Sequence, residues 1–115
     1  MNENKIALDD LLMAVHEIRS ETIALLKNER WSLIHRMPKD QVNGLVDTVD
    51  QGFEWAKDTV LTADALVDIG LDTLENTKHD VANFAMLCDD ILKKVEPYTV
   101  KLTHRARFRK SFIRN

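Results

Sequence analysis

Four histidines, three serines and one cysteine are the side chains of this 115-residue chain that most often act as bases, nucleophiles or metal ligands. The nearest approach to a ligand pair is Glu75 and His79, which are four residues apart and share a face of an unbroken helix. The chain contains neither an H-E-x-x-H motif nor the Glu-x-x-His pairs of di-iron bundles. The serines lack the context of a nucleophile elbow, and no glycine-rich loop could hold phosphate. We therefore predict no catalytic site, no metal, no cofactor and no small-molecule substrate, which argues against an enzyme.

Basic side chains are concentrated at the C-terminal end. Residues 101–115 contain six bases and no acid, whereas residues 1–100 contain ten bases and nineteen acids, so the net charge of −3 hides a strong asymmetry. Aromatic residues interleave with these bases, a pattern typical of segments that bind anionic surfaces. The residues of this basic tail that we predict to contact a partner are Lys101, Arg105, Arg107, Phe108, Arg109, Lys110, Phe112 and Arg114.

Several anionic surfaces could receive the basic tail. A protein partner or a neighbouring copy of the chain is the favoured partner, nucleic acid is possible, and an anionic membrane surface is the least favoured. The tail could instead fold back on the chain's own acidic helices, above all the second. The sequence leaves these alternatives open.

The elements that must position these residues are helices. Three glycines and two prolines are too few for the turns of a sandwich or barrel, and 44% hydrophobic with 30% charged residues is typical of a globular protein. Apolar residues recur at helical spacing along most of the chain. We predict an all-α, elongated antiparallel bundle of three long helices, at about 6–37, 39–75 and 77–96, with a helical basic C-terminal extension.

Breaks in the pattern set the predicted boundaries. Pro38 should end the first helix and open the second, and Asn76 or Thr77 should cap the third. Pro97 separates an acidic helical bundle, residues 1–97, from the extension, residues 98–115. Because the apolar stripe stays in phase across Asn76, fusion of the second and third segments into one helix is the alternative.

Two surfaces of the predicted helices could bind a partner. Gly52, Ala56, Ala63 and Gly70 form a line of small side chains on the second helix, which either receives a neighbouring helix of the same chain or serves as a self-association seam. The second surface contains apolar residues off the main stripe, namely Trp31, Trp55 and Ile69. Exposed tryptophans are enriched at binding hot spots.

The expected compartment follows from what the chain lacks. The N-terminal residues do not resemble a signal peptide, and no apolar run approaches the ~20 residues of a membrane span. The single cysteine, Cys88, is expected to be a buried core thiol in a reducing cytoplasm. We predict a non-enzymatic helical protein-protein interaction protein, an assembly or regulatory adaptor, with a nucleic-acid-associated protein as the alternative.

Overall fold

The computed structural model describes residues 3–27 and 37–96, and these residues form three α-helices. They are α1 (Glu3–Lys27), α2 (Lys39–Asp68) and α3 (Leu74–Val95). Neither described range contains a strand. Each helix packs against the other two in a body of 51 × 25 × 17 Å. The predicted all-α, elongated three-helix bundle is confirmed.

Ion pairs between α1 and α2 show that these helices run antiparallel. Lys5, near the start of α1, lies 2.6 Å from Asp68 and 3.4 Å from Asp64, both near the end of α2. Arg19, more than three turns further along α1, pairs at 2.8 Å with Asp50 in the first half of α2. The hydrogen bond to Asp68 raises the pKa of Lys5, which keeps this cation charged over the neutral range.

Apolar side chains from all three helices meet in one core. The largest side chains that are fully enclosed are Leu8, Val15, Ile18, Leu26, Val49, Val60, Phe84 and Leu92. In α2 the predicted apolar stripe is buried from Val42 to Ala63, since its members recur at three- and four-residue spacing and face the other two helices. Its predicted continuation fails at Leu71, which is 53% exposed.

Proline starts α2 as predicted. Pro38 precedes the first helical residue with φ −56° and ψ 140°, and its carbonyl accepts hydrogen bonds from the amides of Gln41 and Val42. A proline at this position sacrifices no helical hydrogen bond, because the first amides of a helix have no partner within it.

The end of α2 differs from the prediction, because the helix stops at Asp68 rather than continuing to about residue 75. Gly70 has φ +86°, the amide of Leu71 donates to the carbonyl of Leu66, and the amide of Gly70 donates to that of Val67. These two bonds form a Schellman motif, in which glycine supplies the left-handed residue. The in-phase apolar pattern obscured this stop signal, and the turn rules out fusion of α2 with α3.

The start of α3 also corrects the sequence analysis. The helix begins at Leu74, whose amide donates a hydrogen bond to the Asp72 carboxylate at 3.0 Å. Thr77 lies inside the first turn, where its amide and hydroxyl both donate to the carbonyl of Thr73. Thr77 therefore does not cap the helix with Asp80, and the loop 69–73 reverses the chain so that α3 runs antiparallel to α2.

Some predictions lie outside the described residues. These are the first helix beyond Lys27, Trp31, and the whole basic tail. Among the helices that are described, none is both long and apolar enough to cross a membrane.

Candidate functional site

The outer face between α1 and α2 is closed by the chain's own charged and aromatic side chains. Phe53 is only 7% exposed. The ring of His16 meets it edge-on at 5.1 Å between centroids, and Arg19 and Lys57 lie 4.9 and 5.5 Å from the ring centroid. Cations at this distance are attracted to the negative face of an aromatic ring. Arg19 also bonds Asp50 across the interface, so this face is well satisfied within the chain.

The outer face between α2 and α3 is different, because it forms an open groove of about 400 Å³. Trp55, two residues after Phe53, lies in this groove and is 49% exposed. The α2 wall contains Trp55, Asp58, Thr59, Thr62 and Leu66. The α3 side contains Thr73, Asn76, Thr77 and Asp80. No residue of α1 lines the groove.

The walls of the groove are negative. Asp58 and Asp80 line it from opposite helices, and within residues 3–27 and 37–96 no basic residue lines it. The two lysines nearest in sequence pair elsewhere: Lys57 with Glu54 at 2.9 Å, and Lys78 with Glu75 at 3.4 Å.

The net charge of the described residues has the same sign as the charge of the groove. Residues 3–27 and 37–96 together carry eight bases and eighteen acids, a net charge of −10. Neighbouring surface charges therefore attract a cationic partner toward the groove.

Two threonine hydroxyls of the groove are used in hydrogen bonds to backbone carbonyls, so the carboxylates of Asp58 and Asp80 are its strongest polar groups. The hydroxyl of Thr59 donates to the carbonyl of Trp55 at 2.8 Å, and that of Thr77 donates to the carbonyl of Thr73 at 2.9 Å. Both hydroxyls are thereby committed to their own helices. The groove combines an aromatic and an aliphatic surface with acids on both sides, an arrangement that binds apolar side chains flanked by Lys or Arg.

The line of small residues does not form an exposed seam. A Cβ atom on Gly52 would lie 2.9 Å from Leu87 and 3.1 Å from Phe84, so this glycine is in close contact with α3. Ala56 and Ala63 are buried within the same bundle, and Gly70 lies in the turn beyond α2. The four residues proposed as a self-association seam therefore do not share one free face, and a neighbouring helix of the same chain fills the space beside Gly52.

The predicted apolar contact residues separate in the structure. Trp55 lies in the groove, whereas Ile69 is 71% exposed at the C-cap of α2 and does not line it. Trp31 and the basic tail, Lys101 to Arg114, are outside the described ranges. Only Trp55 among the three predicted residues is thus placed in a defined concave surface.

Of the residues first considered for chemistry, His35, His104, Ser32 and Ser111 lie outside the described ranges, and the others are scattered over those ranges. Glu75 pairs with Lys78, and His79 is exposed one turn away. Within the two described ranges, no group of three histidine, cysteine or acidic side chains could hold a metal ion. Cys88 is fully buried, and burial raises the pKa of its thiol to about 11, although a hydrogen bond with the Thr22 side chain opposes part of this increase.

Sequence reasoning missed most of the groove. It identified Trp55 but not Asp58, Leu66 or Asp80 as its neighbours. A usable signal existed, because Trp55, Thr59, Thr62 and Leu66 follow one another at three- and four-residue spacing and so form one line on α2, beside the main apolar stripe.

Comparison with known proteins adds no family to this description: no protein-family model, no curated protein and no solved structure matches the chain.

Proposed function

We propose that this chain is a non-enzymatic helical interaction protein, an assembly or regulatory adaptor, that binds another protein in the groove between α2 and α3. The observation that carries the proposal is the half-exposed Trp55 in a concave surface that no residue of α1 covers. Partly buried tryptophans at the centre of a surface contribute disproportionately to binding. The closed face around Phe53 offers no comparable site.

The shape of the groove favours a helical segment as the bound element. Trp55 and Leu66 are eleven residues apart on α2, which corresponds to about 16 Å or three helical turns. An amphipathic helix laid in such a groove places apolar residues at i, i+3, i+4 and i+7 against it. Basic residues beside those anchors would pair with Asp58 and Asp80.

A nucleic-acid-associated protein that uses the basic tail is the second candidate. Its support is the +6 charge of residues 101–115. The net charge of −10 on the described helices opposes approach of a polyphosphate, so we rank the protein partner first. The proposed setting is the cytoplasm, because a reducing compartment keeps a single thiol such as Cys88 free.

Capture by the full chain tests this proposal. Tagged wild-type protein and its Trp55→Ala and Met13→Ala variants are produced in cells of the native host and cross-linked there. The cells are then lysed, the lysate is treated with nuclease, and captured proteins are quantified by mass spectrometry. Met13 is a matched control, since it is 63% exposed on α1 and lies outside the groove. We expect one protein to be captured in stoichiometric amount by wild type and Met13→Ala, and at least tenfold less of it by Trp55→Ala.

Two results would contradict the proposal. One is equal capture by all three proteins, which would show that the groove is not the contact surface. The other is retention of RNA or DNA instead of protein in a parallel capture without nuclease, with an apparent affinity that falls steeply between 50 and 200 mM salt, as phosphate contacts require. Circular dichroism of Trp55→Ala must match wild type for the comparison to be valid.

A further inference from the structure

We infer that the groove between α2 and α3 is the docking site of the chain's own basic tail, with Phe108 and Phe112 against Trp55. This inference rests on the proposed function, because it uses the same groove and names what competes with a partner for it. Three properties support it: the charges of the two surfaces, the length of the tail, and the spacing of its aromatic residues.

Charge complementarity is the first argument. The groove carries Asp58 and Asp80 on opposite walls, and none of the described helices contributes a base to its lining. The tail carries six bases and no acid over fifteen residues, the largest concentration of positive charge in the chain. Opposite charges at contact distance attract strongly within a Debye length, about 8 Å at physiological salt. The described helices, with a net charge of −10, hold the tail near the body rather than repel it.

Length is the second argument. Asp80 lies fifteen residues before Val95, the last residue of α3, so the groove begins about 22 Å along the helix from the point where the tail leaves. Residues 97–112 span about 24 Å as a helix and about 53 Å when extended. Pro97 disfavours continuation of α3 and so provides the place where the chain can reverse. As a helix from residue 97 onward, the tail brings Phe112 to the level of Asp80 and leaves Phe108 about one turn short of it. A few extended residues after Pro97 therefore bring both rings to the groove.

Aromatic spacing is the third argument. Phe108 and Phe112 are four residues apart, which places both rings on one face of a helical segment. The groove offers an aromatic surface at Trp55 and an aliphatic one at Leu66. Aromatic rings in contact attract one another beyond the effect of the area they bury. Arg107, Arg109 and Lys110 flank the anchors and would face the two carboxylates.

The consequence is a competition within one molecule. A tethered segment reaches millimolar effective concentration at a nearby site, so a partner must bind the groove more tightly than the tail does or first engage the tail itself. The tail would thus act as an autoinhibitory segment that raises the threshold for partner binding. Its release would expose Trp55 and six positive charges together.

Fluorescence quenching of the full chain tests the inference. The Trp31→Phe variant leaves Trp55 as the single tryptophan, since the chain has two. We expect the acrylamide quenching constant of this variant to rise at least twofold when Phe108→Ser and Phe112→Ser are added, and also when salt is raised to 1 M. Thr103→Ser, a conservative change in the same segment, is the matched control and should leave quenching unchanged.

A second measurement keeps the inference falsifiable if Trp31→Phe does not fold. A zero-length carbodiimide cross-linker applied to the wild-type chain should join Lys110, which lies between the two phenylalanines, to Asp58 or Asp80, as read by peptide mass spectrometry. In a mixture of ¹⁴N- and ¹⁵N-labelled chains, docking within one molecule gives no mixed-label cross-links.

Each alternative result overturns the inference in a distinct way. Mixed-label cross-links, or quenching that changes with protein concentration between 1 and 50 μM, would place the tail on a second copy. If the quenching constant changes neither with salt nor on substitution of both phenylalanines, and these cross-links do not form, the tail does not occupy the groove. Neither result bears on partner capture by Trp55→Ala, so the proposed function and this inference fail separately.

Discussion

Phe53 and Trp55 are two residues apart on α2, yet their surroundings are opposite. Phe53 faces α1, where His16 and Arg19 contact its ring, and Lys57 of α2 lies over the same ring. Trp55 faces the groove beside α3, where no base is among the lining residues that the structure describes and half of its surface is exposed. Both aromatics belong to one rigid helix, so the difference arises from what the neighbouring helix presents to each.

The comparison separates residues that hold the bundle together from residues available for binding. Around Phe53, the polar and charged groups of α1 and α2 satisfy one another, including the bond from Arg19 to Asp50. A hydrogen bond to Glu54 raises the pKa of Lys57, so this cation remains charged over the neutral range. Beside Trp55, the carboxylates of Asp58 and Asp80 line the groove, and no basic residue is among its described lining residues. Under the proposed function, a cationic segment of the partner would pair with these carboxylates.

The largest expected difference in stability is between two single variants in which Phe53 or Trp55 is replaced by alanine. Phe53→Ala should lower the free energy of unfolding by about 3–5 kcal/mol, because it removes a buried ring from the core. Trp55→Ala should lower it by less, about 1–2 kcal/mol, since half of that side chain is already in water. Urea unfolding followed by circular dichroism measures both. Similar losses for the two variants would remove the distinction on which the comparison rests.

Glycine substitutions sharpen the comparison at the contact between α2 and α3. Gly52→Leu should lower the free energy of unfolding by about 1–3 kcal/mol, because its side chain would collide with Leu87 and Phe84. Gly44→Leu is the matched control on the same helix, where a Cβ atom meets nothing within 4 Å. That variant should raise stability by up to about 1 kcal/mol through helix propensity. Equal effects would mean that α3 does not approach Gly52 closely.

The pH dependence of unfolding tests whether the thiol of Cys88 is buried in the core of the bundle. Burial raises the pKa of Cys88 from 9.0 to about 11, so the folded state holds this proton more tightly than the unfolded state does. The stabilisation is complete below pH 9 and is lost as pH rises toward 11, with a loss on the order of 1–2 kcal/mol. Unfolding of wild type and Cys88→Ala at pH 8 and 10.5 isolates this contribution. An identical pH dependence in both proteins would show that the thiol is accessible to solvent.

The smallest expected effect belongs to the ion pair that bridges α1 and α2. Arg19 and Asp50 are each about 40% exposed, so their pair should have a coupling energy of only about 0.2–1 kcal/mol. A double-mutant cycle with Arg19→Ala and Asp50→Ala measures it. We expect the coupling to weaken in 1 M salt, and a value above 2 kcal/mol would mean that this face is drier than its exposure indicates.

The sequence predicted the fold well because helical periodicity and Pro38 are local signals. It placed the end of α2 wrongly, since Ile69 and Leu71 continue the apolar phase through a turn that Gly70 closes. It also assigned Gly52, Ala56 and Ala63 to a possible external seam, because a line of small residues looks the same whether the neighbouring helix is in the same chain or another.

The groove itself could be predicted only in part. Trp55 and Leu66 belong to a recognisable line on α2, but the proximity of Asp80 depends on how the loop 69–73 docks α3 against α2. Such placement is a tertiary property, which periodicity along one helix does not contain.

Site-specific photo-cross-linking tests the central claim most directly, namely that the groove between α2 and α3 is the binding surface. A photoreactive phenylalanine analogue replaces Thr62, which is exposed in the groove, or Met13, which is exposed on α1. Irradiation of native-host cells that produce each protein should yield a discrete adduct with one other protein from position 62 and none from position 13. Adducts of equal yield from both positions, or from position 13 alone, would contradict the account.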